Sequence, residues 1–354
     1  MRPPLSHALA PTLALVPAPS LHERWFVSDE GLPTRWDQLF AGPTLAAVGT
    51  AVVVLGVVWL LWLLRGRRPI LPGPMDLGAS PERLALLLGW VPLLLAVHTA
   101  VPLFVSGVNG QLFTPNLGLA QPADAFVGLL EIGIGLLLFY GAFSRYAALA
   151  LAGTWLLGLF LFGPVRLIEQ TIFLGIAAFF FIAGRGPIAV DRVFGPWAGA
   201  RERLLGLAVP LLRAGTGISL VWLAFTEKLL NLPLAARFLR EYPDVNFLPA
   251  LGIDAGTEAF VGMAGTVELT VGLLVLSGMF TRAVIVFLWL PFNLSLAYFG
   301  WRELVGHLPI YAAMAILLLW GQGGPRMLEA LRAGLLPMAE KPVGGRGEAA
   351  HRSS

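Results

Sequence analysis

A glutamate that recurs inside two long apolar runs limits what this chain can fold into more than any other feature. Glu131, Gly135, Gly141 and Arg145 are repeated as Glu268, Gly272, Gly278 and Arg282, every member displaced by the same distance along the chain. The residues between these landmarks are almost wholly apolar, so on a helix rising about 1.5 Å per residue the glutamate and arginine stand roughly 21 Å apart. That is most of the hydrocarbon thickness of a bilayer. A carboxylate inside such a segment costs on the order of a few kcal/mol, so its presence in both copies calls for a partner or a task.

Hydrophobic residues make up 57% of the sequence and charged residues 13%, which excludes an ordinary soluble globule and predicts an all-α, polytopic membrane helix bundle. There is no cysteine, so disulfides, thiolate metal sites and dithiol relays are excluded. The basic residues sit in short segments between apolar runs. Membrane topology accounts for them, and nucleic acid is not an expected partner.

Residues 1–38 read as an external leader. The apolar run from Leu5 to Val16, interrupted by Pro11, fits a signal segment cleaved near Ala18-Pro19-Ser20 as well as it fits a disordered stretch. Within the leader, His22-Glu23-Arg24-Trp25-Phe26 reads as an interfacial segment, with tryptophan beside charges at the headgroup level. A first transmembrane helix and its basic stop occupy 39–68. Eight further spans are expected at about 84–106, 125–143, 146–163, 167–183, 212–232, 259–280, 283–299 and 304–320. The positive-inside bias places the N-terminus outside and the C-terminus in the cytoplasm of a bacterial-type plasma (inner) membrane, with lipid as the surrounding partner.

The duplication is wider than the opening motif. Phe162-Gly163 returns as Phe299-Gly300, and Gly184 and Gly186 return as Gly321 and Gly323, at the same spacing. Two four-helix repeats follow, 83–186 and 212–323, joined by a cytoplasmic connector at 187–211 and followed by a tail at 324–354 that is disordered from Glu340 onward. Val190 to Leu205, within the connector, is a candidate amphipathic interfacial stretch. Four spans return the chain to its starting side, so the repeats are parallel.

In each repeat's first helix an arginine is followed, at one fixed spacing, by another titratable group: Arg83 by His98, and Arg213 by Lys228. About 22 Å of helix separates the members of each set. Matched depth therefore predicts two buried pairs, Glu131 with His98 and Glu268 with Lys228. Arg83, Arg145, Arg213 and Arg282 gather at the inner edge. The four paired residues are the candidate ligand-binding groups, and helix-registering ion pairs without chemistry are the competing reading. Glu227 is expected to point elsewhere, at headgroup level. Gln170 and His307, equivalent positions in the two repeats, and Asn293, two residues after Pro291, are secondary candidates. No set of side chains has metal-ligand spacing, and only His98 and His307 lie in or near spans for haem ligation.

Arg213, Phe225 and Lys228, followed by Glu268, Gly272, Gly278 and Arg282, resemble the DoxX-like family of four-helix membrane proteins. The resemblance covers about residues 83–330, as a tandem duplication. The chain departs from the family pattern in having Glu227 before the lysine and His98 in place of the lysine in the first repeat. Family members are similar to quinone-linked thiosulfate oxidoreductase subunits and to membrane partners of thiol-stress enzymes. The resemblance thus implies a membrane subunit of an oxidoreductase system, carrying no covalent cofactor, binding a quinone headgroup at an acid–base pair and taking electrons from a redox partner protein. A carrier or receptor for a small anionic or lipid-like solute, and a structural scaffold, are the alternatives.

Overall fold

The computed structural model describes residues 22–186, 189–193 and 200–340. Both the signal segment and the disorder expected beyond Glu340 lie outside them. Among the described residues twelve α-helices form: α1 (Gly42–Leu64), α2 (Pro81–Val108), α3 (Ala123–Tyr140), α4 (Ser144–Phe162), α5 (Pro164–Ile168), α6 (Thr171–Ala183), α7 (Leu205–Leu223), α8 (Leu232–Glu241), α9 (Thr257–Ser277), α10 (Thr281–Phe299), α11 (Trp301–Trp320) and α12 (Pro325–Glu340). No strand forms among the described residues, only an isolated bridge between Gln111 and Gly118. Eight segments, α1 to α4, α7 with its extension, and α9 to α11, are long and apolar enough to cross a membrane. The chain is a multi-pass membrane helix bundle.

The duplication is written in the turns. Helices α3, α4 and α6 end at Tyr140, Phe162 and Ala183, and α9, α10 and α11 end at Ser277, Phe299 and Trp320, displaced by the spacing of the glutamate motif. Gly141 and Gly278 close α3 and α9 in the left-handed region, at φ 67° and 70°, where a residue without Cβ is at ease. Two residues on, Phe143 and Phe280 adopt the same region at φ 49° and 45°, which a bulky side chain rarely does. Such matching of unusual conformations follows from a common ancestral turn.

Within each half the first helix packs on the second, α2 on α3 and α7 on α9, and the third on the fourth, α4 on α6 and α10 on α11. The fourth helix of each half then packs on the first of the other, α6 on α7 and α11 on α2, closing a ring. Glycines set the distance at several of these seams. A Cβ on Gly107 would stand 2.6 Å from the Gly128 carbonyl oxygen, so α2 and α3 touch backbone to backbone. Helix α1 lies outside the ring against α9, without a counterpart in the first half. Large apolar side chains face outward around the bundle, Phe160 being 86% and Phe126 73% exposed, as lipid contact requires.

Several expectations are corrected. The leader residues from Glu23 to Trp25 are buried against the bundle rather than laid on its surface. The span expected at 167–183 is broken into α5 and α6 around Glu169 and Gln170, whereas α11 runs straight through the equivalent Gly306 and His307. Helix α7 begins at Leu205, earlier than the expected start at 212, and shortens the connector. In its described parts the stretch 190–205 forms only single 3₁₀ turns, at Val190–Val193 and Glu202–Leu204, before α7 begins. The tail opens with α12, which buries Met327, Ala330, Leu331 and Leu335 at helical spacing and packs against α2.

Arg83, Arg145, Arg213 and Arg282 all lie at one end of the bundle, here the basic end. Arg282 donates to the Leu318 and Leu319 carbonyls at 3.1 and 3.3 Å, stabilising the last turn of α11. The guanidinium of Arg213 lies over the Gly278 turn. Arg145 sits in the first turn of α4 and Arg83 is exposed in the first turn of α2.

The parallel repeats make a direct prediction about sidedness. Because the native chain has no cysteine, single cysteines at Gly110 and Pro249 can be labelled uniquely with a membrane-impermeant thiol reagent. Both should react from the same side of sealed vesicles; reaction from opposite sides is incompatible with this ring of helices.

Candidate functional site

At the end opposite the arginines, helix α7 does not stop but widens into a π-helical turn over Ala224–Leu229. Such turns are local insertions that recur at functional sites. Here the turn carries three consecutive polar residues, Thr226, Glu227 and Lys228, all buried. Each meets a different neighbour. The Thr226 hydroxyl donates to Glu169 at 2.8 Å, in the break between α5 and α6. Lys228 Nζ stands 3.1 Å from Glu268 of α9. Glu227 faces the leader, accepting the Glu23 N–H at 2.5 Å.

The leader completes this network by inserting Glu23, Arg24 and Trp25 into the mouth of the bundle. The Arg24 guanidinium pairs with Glu169, lies 4.0 Å from Glu227 and 3.2 Å from Asp29, and donates to the Thr226 carbonyl at 3.0 Å. Asp29, partly exposed, bridges outward to Arg166 at 3.0 Å. Glu23 stands 3.6 Å from Lys228, which thus has a carboxyl neighbour from the leader as well as from α9. Trp25 packs so closely on Gly306 that a side chain there would meet its ring. Beside this contact, His307 lies 3.4 Å from Glu303.

The predicted residues divide sharply. Glu268 and Lys228 are brought together as the depth argument proposed. Glu131 and His98 are not. Glu131 accepts from the Ser106 hydroxyl and the Phe113 N–H, both at 2.8 Å, while the half-buried His98 ring bonds the Leu94 carbonyl of its own helix at 2.8 Å. The depth count failed because it took Arg83 as the counterpart of Arg213. The Gly107–Gly128 contact sets the true register and puts Ser106, about 12 Å of helix beyond His98, opposite Glu131. Glu227 points away from Lys228 and is fully buried, with partners that come from the leader. Asn293 is exposed and bonds the Trp289 carbonyl of its own helix at 2.7 Å, away from the cluster. The carbonyl freed by Pro291 is a different one, at Phe287.

Gln170 and His307 are brought together, since both line a small cavity of about 30 Å³ between the halves, walled also by Glu169, Trp25, Phe173 and Phe292. The volume suits a water-sized occupant. It is too small for a quinone ring. Among the described residues no group of three or more histidine, aspartate or glutamate side chains is arranged to hold a metal ion.

Charge is the dominant property of the site. Among the described residues of this cluster, five carboxyl side chains, Glu23, Glu169, Glu227, Glu268 and Glu303, are buried beside only two buried cations, Arg24 and Lys228. Ionising all five in so little solvent is strongly disfavoured. For Glu23, which lies outside the spans, burial pushes the carboxyl up to about 8 against the pull of Lys228, with Glu227 and Glu268 adding to the rise. Neighbours this close titrate as a set and share protons among themselves.

Sequence reasoning missed Glu23, Arg24, Glu169 and Glu303. A signal for Glu303 was present in its spacing of four from His307, which places the two on one helix face. Nothing local marks Glu23 and Arg24, whose partners Glu227 and Glu169 belong to distant parts of the chain. No family model, curated protein or solved structure matches this chain.

Two outcomes follow from these contacts. Glu268→Gln is expected to cost on the order of 1–3 kcal/mol by leaving Lys228 with Glu23 alone at 3.6 Å, and combining it with Lys228→Met should depart from additivity by about 0.5 kcal/mol or more. The pair Glu131→Gln and His98→Leu should instead add to within about 0.5 kcal/mol, because the residues do not touch. Detergent melting of the singles and doubles measures both.

A separate expectation concerns pH. A carboxyl whose folded value lies above its unfolded one favours the folded state most below the unfolded value, and loses that contribution as pH rises through the folded one. For Glu23 the window runs from 4.5 to about 8. Melting temperature should therefore fall across that window, and Glu23→Gln should flatten the fall. An unchanged slope in the variant assigns the dependence to other groups.

Proposed function

We propose that this chain takes up and releases protons at its buried acid-rich cluster, as the proton-handling member of a membrane carrier or redox system. The excess of five buried carboxyls over two buried cations carries this reading. An apolar bundle tolerates such an excess when protons hold part of it neutral. The arrangement also gives protonation something to move. Lys228 is within reach of both Glu268 on α9 and Glu23 on the leader, so a proton gained by Glu23 favours the pairing with α9 and loosens the leader, and a proton gained by Glu268 does the reverse.

The basic residues outside the cluster support an orientation with that cluster near the outer face, the N-terminus outside and the C-terminus in the cytoplasm of a plasma membrane. Exchange with the aqueous phase then runs through the partly exposed Asp29 and Arg166 at the rim. An excess of acid disfavours the small-anion carrier considered from sequence.

One observation favours the quinone-linked membrane subunit as a second reading. An open apolar groove of about 430 Å³ runs between α1, α9 and α10, from Phe280 to Thr266, two residues from Glu268. It suits an isoprenoid tail, with the headgroup delivered toward the acid–base cluster after the leader moves and with electrons from a partner protein.

Infrared difference spectra recorded between about pH 5 and about pH 9 test the proton reading. The band of protonated carboxyl groups should disappear as pH rises in the native chain, and its amplitude should be smaller in Glu23→Gln and Glu268→Gln. A native chain with no such band at the acid end contradicts the proposal.

A further inference from the structure

We propose that the small cavity between the two halves is a binding site for an ammonium ion. Its volume of about 30 Å³ accepts one species the size of a water molecule. The walls are not those of a site built for water alone. Three aromatic rings, Trp25, Phe173 and Phe292, line a space that Glu169 also faces. A cation gains from the faces of such rings, most where water is excluded.

Several polar atoms at the wall are buried and make no hydrogen bond. Glu169 Oε2, Gln170 Nε2 and both ring nitrogens of His307 make no hydrogen bond within the chain, and these side chains are 1–3% exposed. Buried groups in that state call for an occupant. A carboxylate oxygen, an amide that can present its oxygen by rotating, and an imidazole nitrogen form a set of acceptors for a tetrahedral donor. Ammonium supplies four N–H donors and one positive charge in the volume of a water. A metal ion is a poorer fit, since hard cations take six or more oxygen ligands and no cluster of metal-ligating side chains occurs among the described residues.

The access route is legible too. His22 stacks on Trp25 with ring centroids 4.0 Å apart and lies 5.1 Å from the His307 ring, at the side where the leader closes the bundle. It is a partly exposed member of the lining. An ion arriving from the acidic end passes this imidazole before reaching the cavity, and movement of the leader would open the way.

The test uses the full chain in lipid nanodiscs, titrated with ammonium chloride, sodium chloride or potassium chloride at matched ionic strength and pH. Melting temperature should rise saturably with ammonium and not with the other two, and methylammonium, larger by one carbon, should bind more weakly. Gln170→Leu is the informative variant, because its Nε2 has no hydrogen bond to lose on folding. It should keep the fold and weaken the ammonium response about tenfold or more. Direct observation uses ¹⁵N-labelled ammonium, whose bound resonance should show cross-peaks to ring protons of Trp25 and Phe292. Equal responses to all three salts, a full response in Gln170→Leu, or cross-peaks to water alone would each overturn the proposal. Loss of the ammonium response with the carboxyl band intact separates this site from proton uptake at Glu23 and Glu268.

Discussion

Everything at the acidic end depends on the cost of leaving a charge unpaired where there is little water. Glu169 and Glu227 come from opposite halves of the duplication and face one another's neighbourhood without a cation of their own. Arg24 supplies it, pairing with Glu169 and approaching Glu227 while its other nitrogens reach Asp29 and the Thr226 carbonyl. A guanidinium suits this position because its planar fork serves several acceptors at once. The leader is thus held inside the bundle by electrostatics, with Trp25 seated against Gly306 as the packing component.

That single insertion divides two halves that otherwise match turn for turn. In the first, Glu131 is satisfied by a hydroxyl and a backbone N–H, neutral donors fixed by the α2–α3 seam. In the second, Glu268 faces a lysine. The fourth span shows the same divergence: Glu169 and Gln170 interrupt α5–α6, where Gly306 and His307 lie in an unbroken α11. The glycine at 306 leaves room for Trp25, and the glutamate at 169 receives Arg24. At the glutamate of the repeated motif one copy uses neutral donors and the other a charged pair. Of the segments outside the duplication at the N-terminal side, α1 packs on the second half and the leader bridges both, through Glu169 and Arg166 of the first and Glu227, Lys228 and Gly306 of the second.

How far the sequence could be read depended on whether the relevant contacts lay within one repeat. The repeat period, the helix ends and the left-handed glycines all follow from local signals, and the spacing of the glutamate motif recurs in the turns to the residue. Lys228 and Glu268 were reachable because a helical rise and an antiparallel neighbour suffice to match their depth. The same count misplaced His98, since it assumed an equal start for α2 and α7, and two turns of helix separate that assumption from the register that Gly107 and Gly128 impose. The partners of Glu227 were out of reach for a different reason. Helical periodicity turns it away from Lys228, but a π turn and a folded-back leader put partners on that side too, and neither leaves a trace in apolar patterning.

The depth of the cluster limits what it can do. From His307 to the end of α11 is about 20 Å of helix, and the other helices of the ring run past a comparable length. That interval is filled by side chains such as Leu88, Leu138, Phe180, Leu212 and Leu317, buried together in one continuous core. Close-packed apolar side chains leave no room for a file of water, and a charge crossing them meets the full cost of leaving solvent. In this conformation the acid-rich cluster therefore communicates with one end of the bundle only, through Asp29, Arg166 and the leader. Passage to the basic end needs the two halves to move against each other at the α6–α7 and α11–α2 seams. Those are the seams beside the cavity, so a change of charge or occupancy there acts where the halves meet.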